Sequence, residues 1–263
     1  MKDSKLNNIK LIVCDLDGTL LDDEKNLDAN IVSVLKDINI PFTFASGRNV
    51  QIVQRYLKEL DIQLPYICNN GANIFNKDEC VLETPIVASE LNGALRLLNK
   101  HYIPFLAYTR GTIYQFGNNA TLDWFVQRLI GTTIIKHDVY PEGDVFKVVI
   151  TPGDDKEMME VAEEIRKLYP NTECARSEGP NYCLTNKHSN KGFGLEWLMK
   201  HLGLNKDEVL VFGDNYNDIP MFEVVSNSVA MSDASQEVKD HATYVCGSNN
   251  ECGVSNFLKD HFE

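Results

Sequence analysis

The sequence lacks long apolar runs and closely spaced metal-binding cysteines or histidines. No segment approaches the roughly 20 apolar residues that a helix needs to cross a bilayer, and the polar first ten residues lack the apolar stretch of a signal peptide. The seven cysteines form no C-x-x-C pair, and the six histidines show no H-x-x-x-H spacing. These absences argue against a membrane span, a zinc site and thioredoxin-like chemistry, so we expect a cytoplasmic protein without a membrane partner.

Positive charge is also scarce. The chain has 25 Lys and Arg against 38 Asp and Glu, which gives a net charge of −13 over 263 residues. This balance argues against a nucleic-acid partner, because nucleic-acid surfaces on proteins are basic. It does not exclude an anionic substrate, since a cation can neutralise a site locally.

The chain does contain a regular alternation of two patterns. Short apolar runs typical of buried strands (residues 9–14, 42–45 and 66–68) alternate with segments whose apolar residues repeat at helical spacing (27–38 and 50–60). This alternation predicts a parallel sheet with helices on both faces, the doubly wound α/β arrangement. The same pattern returns late in the chain, where we expect two helices and three strands at residues 191–202, 209–212, 218–225, 228–231 and 243–245.

The middle of the chain has a different pattern. Strand candidates lie closer together here, and helices are expected at residues 89–98 and 155–168. Closely spaced strands with a few helices predict an α+β domain with an antiparallel sheet. We therefore expect a core of residues 1–82 and 187–263, and an inserted domain of residues 83–186. The strand candidates in the insertion are residues 105–108, 112–116, 133–137, 146–151 and 182–185.

Polar residues follow the strand-like runs at four points. Because ligands bind beyond the carboxyl ends of strands in an open parallel sheet, these residues should meet at one edge. Four aspartates among them would repel one another unless a divalent cation lay between them, and carboxylate oxygens suit Mg²⁺, which favours phosphoryl chemistry. The four sets are Asp15, Asp17 and Thr19; Ser46-Gly47-Arg48; Asn69-Asn70-Gly71; and Gly213-Asp214 with Asn217-Asp218.

Further groups suit a bound phosphate. The Ser46 hydroxyl can donate to a phosphate oxygen, and glycines at positions 18, 47 and 213 let backbone amides come close. Lys191, at the start of the predicted helix 191–202, is the best-placed cation, although a lysine at a helix start is usually solvated and opposes the helix dipole. A positive charge there would stabilise a transferring phosphoryl group.

Together these residues resemble, in order, the four motifs of the haloacid dehalogenase-like superfamily. With the insertion between the second and third motifs, nearly the whole chain resembles its Cof-type phosphatase subgroup. Each motif alone is modest evidence for this superfamily, but four motifs in this order and in this strand context are specific evidence. The resemblance implies a Rossmann-like core with an inserted α/β cap domain that closes over the active site. The motifs are Asp15-Leu16-Asp17-Gly18-Thr19, Ser46-Gly47-Arg48, Lys191-Gly192 and Gly213-Asp214-Asn215-Tyr216-Asn217-Asp218.

The resemblance also implies catalytic and substrate-binding roles. Asp15 would attack phosphorus to form an aspartyl-phosphate, and Asp17 would protonate the leaving alcohol and then help to activate water. Lys191 would be the third catalytic group. Thr19 is expected to stabilise its loop. The residues implied to hold the phosphoryl oxygens are Ser46, Gly47, Lys191 and Asn217, and the candidate substrate contacts are Arg48 and Asn70.

A magnesium site follows from the same resemblance. Mg²⁺ would be held by the carboxylates of Asp15 and Asp214 and by the backbone carbonyl of Asp17. Asp218 would orient Lys191 or a metal-bound water, and could reach the metal in some states.

The implied function is a magnesium-dependent phosphatase for sugar phosphates or similar small phosphomonoesters, acting as a monomer or small homo-oligomer. A phosphomutase or a specialised sugar-phosphate phosphatase would use the same Asp15 and Asp17 and stays open. A non-catalytic metabolite-binding protein also stays open, although such a protein should have lost a motif. A phospho-accepting signalling domain fits less well, because it is about half this length and does not pair D-x-D-G-T with a late G-D-x-x-N-D.

Overall fold

The computed structural model describes residues 4–129, 134–177 and 180–262. Internal contacts divide the chain into two compact units. The first consists of Met1–Leu82 and Asn190–Glu263, and the second consists of Glu83–Ser189. The second unit is thus inserted, in sequence, between the two parts of the first.

The described residues form an alternating series of strands and helices. None of these helices combines the length and the apolar character of a membrane span. The strands are β1 (Leu11–Cys14), β2 (Phe42–Phe44), β3 (Tyr66–Cys68), β4 (Asn73–Asn76), β5 (Glu79–Glu83), β6 (Phe105–Tyr108), β7 (Thr112–Phe116), β8 (Ile134–His137), β9 (Lys147–Ile150), β10 (Thr172–Arg176), β11 (Tyr182–Asn186), β12 (Val209–Gly213), β13 (Asn227–Ala230) and β14 (Tyr244–Val245). The helices are α1 (Ile31–Ile38), α2 (Val50–Glu59), α3 (Ala88–Lys100), α4 (Ala120–Leu129), α5 (Asp155–Leu168), α6 (Lys191–Leu202), α7 (Ile219–Val224), α8 (Gln236–Asp240) and α9 (Gly253–Phe262).

The first unit is built on a parallel sheet with the strand order β14-β13-β12-β1-β2. Strand β1 is buried along its whole length, which explains its continuous apolar sequence. Ile12 and Cys14 pack into an apolar cluster with α1, α2 and α9, whereas Leu11 and Val13 pack into a second cluster with α6, α7 and α8. Helices therefore cover both faces, and the predicted doubly wound α/β fold class is confirmed.

The register of this sheet aligns the carboxyl ends of its central strands. Cys14 at the end of β1 lies beside Phe212 of β12 and Phe44 of β2. Strand β3 continues the same edge through a parallel bridge between Ala45 and Ile67. It also forms a small separate sheet with β4 and β5. The next residues along the chain are Asp15 after β1, Ala45 after β2 and Gly213 after Phe212. All three lie at the same edge of the sheet.

The second unit contains a sheet with the strand order β10-β11-β9-β6-β7-β8. Its neighbouring strands are antiparallel, apart from the parallel pair β7 and β8. Helices α3 and α5 pack against one face, in an apolar cluster that includes Phe105, Ala107 and Val148. This arrangement matches the α+β pattern expected from the closely spaced strands.

Several elements differ from the sequence prediction. The patterns do not predict β4, β5, β10, α4, α8 or α9. Strands β5 and β10 lie at sheet edges, where half-exposed polar side chains hide the strand pattern. Helix α1 begins at Ile31 rather than near Leu27, because Leu27 forms a β-bridge with Leu21 and Asp28 accepts a hydrogen bond from the N–H of Asn30. Position 133 of the predicted strand 133–137 lies outside the described residues.

We expect burial in the parallel sheet to dominate the stability of the first unit. Val211→Ala in the middle of β12 should lower the free energy of unfolding by about 2 kcal/mol, because a buried valine loses apolar contacts and leaves a cavity. The matched change Val245→Ala, in the edge strand β14 where the valine is 53% exposed, should cost less than about 0.5 kcal/mol. Urea unfolding measures both, and equal losses would contradict the arrangement of the core.

Candidate active site

The site begins with Asp15 at the end of β1. Its backbone N–H donates to the carbonyl of Phe212 at 3.0 Å, which extends the parallel ladder by one residue. The chain then turns tightly, with the Leu16 carbonyl accepting three backbone N–H groups. Gly18 in this turn has a φ of +77°, and a Cβ there would lie 2.4 Å from Oδ2 of Asp214. Glycine is therefore required by the turn and by the close approach of Asp214.

A buried lysine links two of the predicted aspartates. Lys191 has no exposed surface, and its Nζ lies 2.6 Å from Oδ1 of Asp15 and 2.6 Å from Oδ1 of Asp218. Burial lowers the pKa of Lys191, but the two carboxylates outweigh burial and raise this pKa above its ordinary value. The side chain is therefore a charged, fixed cation rather than the solvated lysine that is usual at a helix start.

The first turn of α6 brings this lysine into place. The Asn190 side chain caps the helix by accepting a hydrogen bond from the N–H of Phe193 at 2.8 Å. A Cβ at Gly192 would lie 2.3 Å from the carbonyl oxygen of Pro220. The glycine thus lets α6 pack directly on the backbone that follows Asp218, and this close packing explains the Lys191-Gly192 pair.

Asp218 organises the loop after β12. Its Oδ2 accepts hydrogen bonds from the backbone N–H groups of Asp214 at 2.9 Å and Asn215 at 3.0 Å, and its Oδ1 contacts Lys191. Both oxygens already have partners. The arrangement favours a role in fixing Lys191 and the loop over direct contact with a metal.

Three carboxylates lie close enough together to hold a cation. One oxygen each from Asp15, Asp214 and Asp218 lies within 4.8 Å of the others. Burial raises the pKa of Asp15 well above its ordinary value, opposed by Lys191 and assisted by the two neighbouring aspartates. Burial and Asp218 raise the pKa of Asp214 to about 7, although the Thr19 hydroxyl donates to its Oδ1 at 2.9 Å. Crowded carboxylates with raised pKa values fit a hard divalent cation such as Mg²⁺.

The carboxylate of Asp17 has different partners. Arg48 donates from Nε to Oδ2 and from Nη2 to Oδ1, both at 2.6 Å, and Nζ of Lys25 lies 3.0 Å from Oδ1. Burial alone would raise the pKa of Asp17, but the hydrogen bonds and charge of Arg48, together with Lys25, lower it to about 2. Asp17 is therefore ionised in this arrangement, and its pKa is shifted in the opposite direction from that of Asp15.

A second group of predicted residues meets at the ends of β2 and β3. Buried Ser46 accepts a hydrogen bond at its hydroxyl oxygen from the N–H of Arg48 at 3.1 Å. A Cβ at Gly47 would lie 2.9 Å from Oδ1 of Asn70, and the same oxygen accepts a hydrogen bond from Nδ2 of Asn217 at 3.1 Å. Asn70 has a φ of +54°, a conformation that asparagine tolerates better than most residues. Its side chain thus connects the second motif with the fourth.

The structure brings the predicted residues of the first unit together, and two of them contact other predicted residues. Arg48 binds Asp17 and Asn70 contacts Asn217, while the substrate contacts expected of Arg48 and Asn70 stay predictions. Two further residues, Lys25 and Tyr56, reach the site without having been predicted. Lys25 follows three acidic residues in a loop, and Tyr56 has the spacing of a core position in α2, so neither carries a sequence signal for a functional site.

Comparison with known proteins adds family and fold relationships. The chain matches the family model described as haloacid dehalogenase-like hydrolase over residues 12–258. It is 27% identical to a 5-amino-6-(5-phospho-D-ribitylamino)uracil phosphatase of Bacillus subtilis, over 96% of this chain and 95% of that one. It is 25% identical to a pyridoxal phosphate phosphatase of Escherichia coli, over 96% and 98%. The crystal structure of a haloacid dehalogenase-like hydrolase from Bacteroides thetaiotaomicron matches with a TM-score of 0.81 at 27% identity, over 97% and 100%.

Removing the buried cation should destabilise the first unit in a pH-dependent way. Lys191→Met leaves the Asp15 and Asp218 carboxylates without a counter-charge and should cost about 3–5 kcal/mol of unfolding free energy at neutral pH. A carboxylate whose folded pKa is raised destabilises the fold above the pKa of the unfolded chain. The loss should therefore shrink at mildly acidic pH, as Asp15 takes up a proton in the folded state.

Chemical unfolding at the two pH values measures this difference. Lys200→Met, on an exposed position of the same helix α6, is the matched control and should change little. A loss for Lys191→Met that stays constant between the two pH values would contradict the assigned ion pairs.

Magnesium should bind at the Asp15 and Asp214 carboxylates of the three-carboxylate cluster and stabilise the fold. At about one hundred times its Kd, Mg²⁺ should add about 2.7 kcal/mol to the free energy of unfolding, because it binds the folded state only. Asp214→Asn should abolish this gain, and Asp37→Asn, an exposed aspartate on α1, should retain it. Unfolding of metal-free protein with and without added Mg²⁺ tests this independently of activity. An equal gain in Asp214→Asn would place the cation elsewhere.

Proposed function

Because this chain belongs to the haloacid dehalogenase-like hydrolase family, we propose that it is a magnesium-dependent phosphatase acting on small phosphorylated metabolites. The observation that carries the proposal is the position of Asp15, whose carboxylate lies 2.6 Å from a buried lysine and within a cluster of three aspartates. A carboxylate in such surroundings can act as a nucleophile, since Lys191 and a cation would neutralise the charge that collects during phosphoryl transfer.

We propose that hydrolysis proceeds in two displacements. In the first, an oxygen of Asp15 bonds to phosphorus, the bond from phosphorus to the substrate oxygen breaks, and that oxygen takes a proton from Asp17, which has to take up this proton from solvent when the substrate enters because its carboxylate is ionised in the free site. In the second, water attacks phosphorus, its proton passes to Asp17, and the bond between Asp15 and phosphorus breaks to release inorganic phosphate. The ionised carboxylate of Asp17 suits the base of the second displacement, and a cation bound beside Asp15 would favour the ionised form that attacks phosphorus.

Magnesium would be held by Asp15 and Asp214, with the backbone carbonyl of Asp17 as a third ligand. When bound, it would supply positive charge against the phosphoryl oxygens. Asp218 would keep Lys191 and the loop after β12 in position, as its hydrogen bonds indicate.

The remaining residues of the site are proposed to hold the phosphoryl oxygens. Ser46, the Gly47 amide, Lys191 and Asn217 are the proposed contacts, and Asn70 would position Asn217 through the bond between their side chains. We further propose that residues 1–82 and 187–263 form the catalytic core and that residues 83–186 form a cap domain that selects the substrate. The seven cysteines are all free thiols, which supports a reducing, cytoplasmic setting.

The proposed substrate class is a small phosphomonoester. The two relatives described above are named for a cofactor phosphate and for a phosphorylated ribityl compound, so one family site accepts chemically different leaving groups. A panel of sugar phosphates, pyridoxal phosphate and nucleoside monophosphates, assayed by release of inorganic phosphate, would establish the preference. The same assay in the presence of a second sugar would reveal phosphate transfer, the reaction of a phosphomutase.

Replacement of the nucleophile tests the proposed reaction. Asp15→Asn should lower the turnover of a generic aryl phosphate by on the order of a thousandfold or more, because the amide cannot form the aspartyl-phosphate. Chelation with EDTA should silence the wild-type protein and added Mg²⁺ should restore it. Asp37→Asn serves as the control for a lost exposed carboxylate. Wild-type turnover in Asp15→Asn, or full activity in EDTA, would contradict the proposal.

A further inference from the structure

We propose that Arg48 and Lys25 are positioning residues that hold the Asp17 carboxylate for proton transfer, and that Oδ2 of Asp17 is the atom that exchanges the proton. The inference rests on the proposed function and assigns Arg48 a different role from the substrate contact expected from sequence. The observation behind it is a geometry that the phosphoryl-transfer chemistry alone does not require: two cations from separate segments converge on one carboxylate.

The contact between Arg48 and Asp17 fixes the carboxylate plane. The guanidinium reaches both carboxylate oxygens, with Nε on Oδ2 and Nη2 on Oδ1, each at 2.6 Å. Such a two-pronged contact constrains both position and rotation, which a single point charge does not. Asp17 is about one-third exposed, so without this contact its side chain would be free to turn away from Asp15.

Lys25 makes the two oxygens unequal. A carboxylate oxygen has two lone pairs, and Oδ1 receives both Nη2 of Arg48 and Nζ of Lys25, the latter at 3.0 Å. Among the residues that the structure describes, Oδ2 receives Nε of Arg48 alone. One acceptor position therefore stays open on Oδ2, and it is the position from which Asp17 can give a proton to a leaving group or take one from water.

Tyr56 fixes the positions of Arg48 and Lys25 relative to each other. Its side chain is 1% exposed, and its hydroxyl donates to the backbone carbonyl of Lys25 at 3.0 Å and accepts from Nη1 of Arg48 at 3.3 Å. Arg55 donates to the same Lys25 carbonyl. Lys25 itself has a φ of +68°, a backbone conformation that residues other than glycine seldom adopt. Helix α2 thus supports both arms of the clamp formed by Arg48 and Lys25.

The second displacement allows the positioning role of Arg48 and Lys25 to be measured separately. With an activated aryl phosphate, the leaving group departs without needing a proton, so only the attack of water depends on Asp17 as a base. Breaking the clamp should therefore slow release of phosphate from Asp15 and leave formation of the aspartyl-phosphate nearly intact. We therefore expect phosphorylated enzyme to accumulate.

The experiment compares Arg48→Gln with wild-type protein on 2,4-dinitrophenyl phosphate in rapid-quench kinetics. We expect the decay of the aspartyl-phosphate to slow by about tenfold or more, part of the 10²–10⁴ that general acid–base catalysis contributes. An initial burst of about one phenolate per active site should precede the steady state. The value of kcat/KM should change by less than about threefold, since it reports only steps up to the first displacement. Lys58→Gln, at an exposed position of helix α2, should behave as wild type.

Further variants keep the inference falsifiable if Arg48→Gln folds poorly. Arg48→Lys keeps the charge but loses the two-pronged contact, and Tyr56→Phe keeps both cations but loses the hydroxyl. Both should slow the decay in the same direction, by smaller factors. Asp17→Asn should show the largest slowing, and adding Arg48→Gln to it should change nothing more, because Arg48 acts through Asp17.

Two results would overturn the inference. If Arg48→Gln lowers kcat/KM strongly, shows no burst and weakens inhibition by inorganic phosphate, Arg48 binds the phosphoryl group. If its effect multiplies with that of Asp17→Asn, the two residues act separately. Wild-type protein with no phosphatase activity would contradict the proposed function and this inference with it, whereas active wild-type protein with an unchanged decay rate in the variants would contradict the inference alone.

Discussion

The ion pairs of Lys191 with Asp15 and Asp218 depend on three segments that lie far apart in the sequence. A lysine without solvent exposure costs several kcal/mol unless counter-charges compensate, so the fold has to bring the end of β1, the loop after β12 and the start of α6 together. Gly192 permits this approach, because a side chain there would collide with the carbonyl of Pro220. The charge requirement thus couples the two sequence segments of the first unit at the point where chemistry is proposed.

Asp15 and Asp17 illustrate how local surroundings separate two identical side chains. Both follow β1, yet burial and neighbouring aspartates raise the pKa of Asp15, whereas Arg48 and Lys25 lower that of Asp17 to about 2. The separation arises because the first carboxylate meets Lys191 and the loop after β12, whereas the second meets Lys25 from one loop and Arg48 from the segment just before α2. The ionised Asp17 suits the base of the second displacement, whereas Asp15 needs a bound cation beside it to favour its ionised, nucleophilic form.

The sequence predicted the parts of the site that follow from strand geometry. Asp15, Ser46 and Asp214 come directly after buried apolar runs, and parallel strands place such residues at one edge regardless of loop details. Lys25 and Tyr56 could not be predicted, because their contribution depends on where a loop folds back and on the length of a lysine side chain. The same limit explains why β5 and β10 were not predicted, because their exposed edge positions break the apolar pattern. It also explains the late start of α1, because Leu27 forms a β-bridge instead of joining the helix.

The charges in the site also explain how so acidic a protein could accept a phosphate ester. With every group in its charged form, four aspartates at positions 15, 17, 214 and 218 face three cations at positions 25, 48 and 191, which leaves a formal charge of −1 before any substrate enters. Burial, assisted by the charge of Asp218, raises the pKa of Asp214 to about 7. A divalent cation would make the net charge of the site positive, and a phosphate would then enter a positive rather than a negative field. Metal and substrate binding should therefore be coupled, with the metal required first.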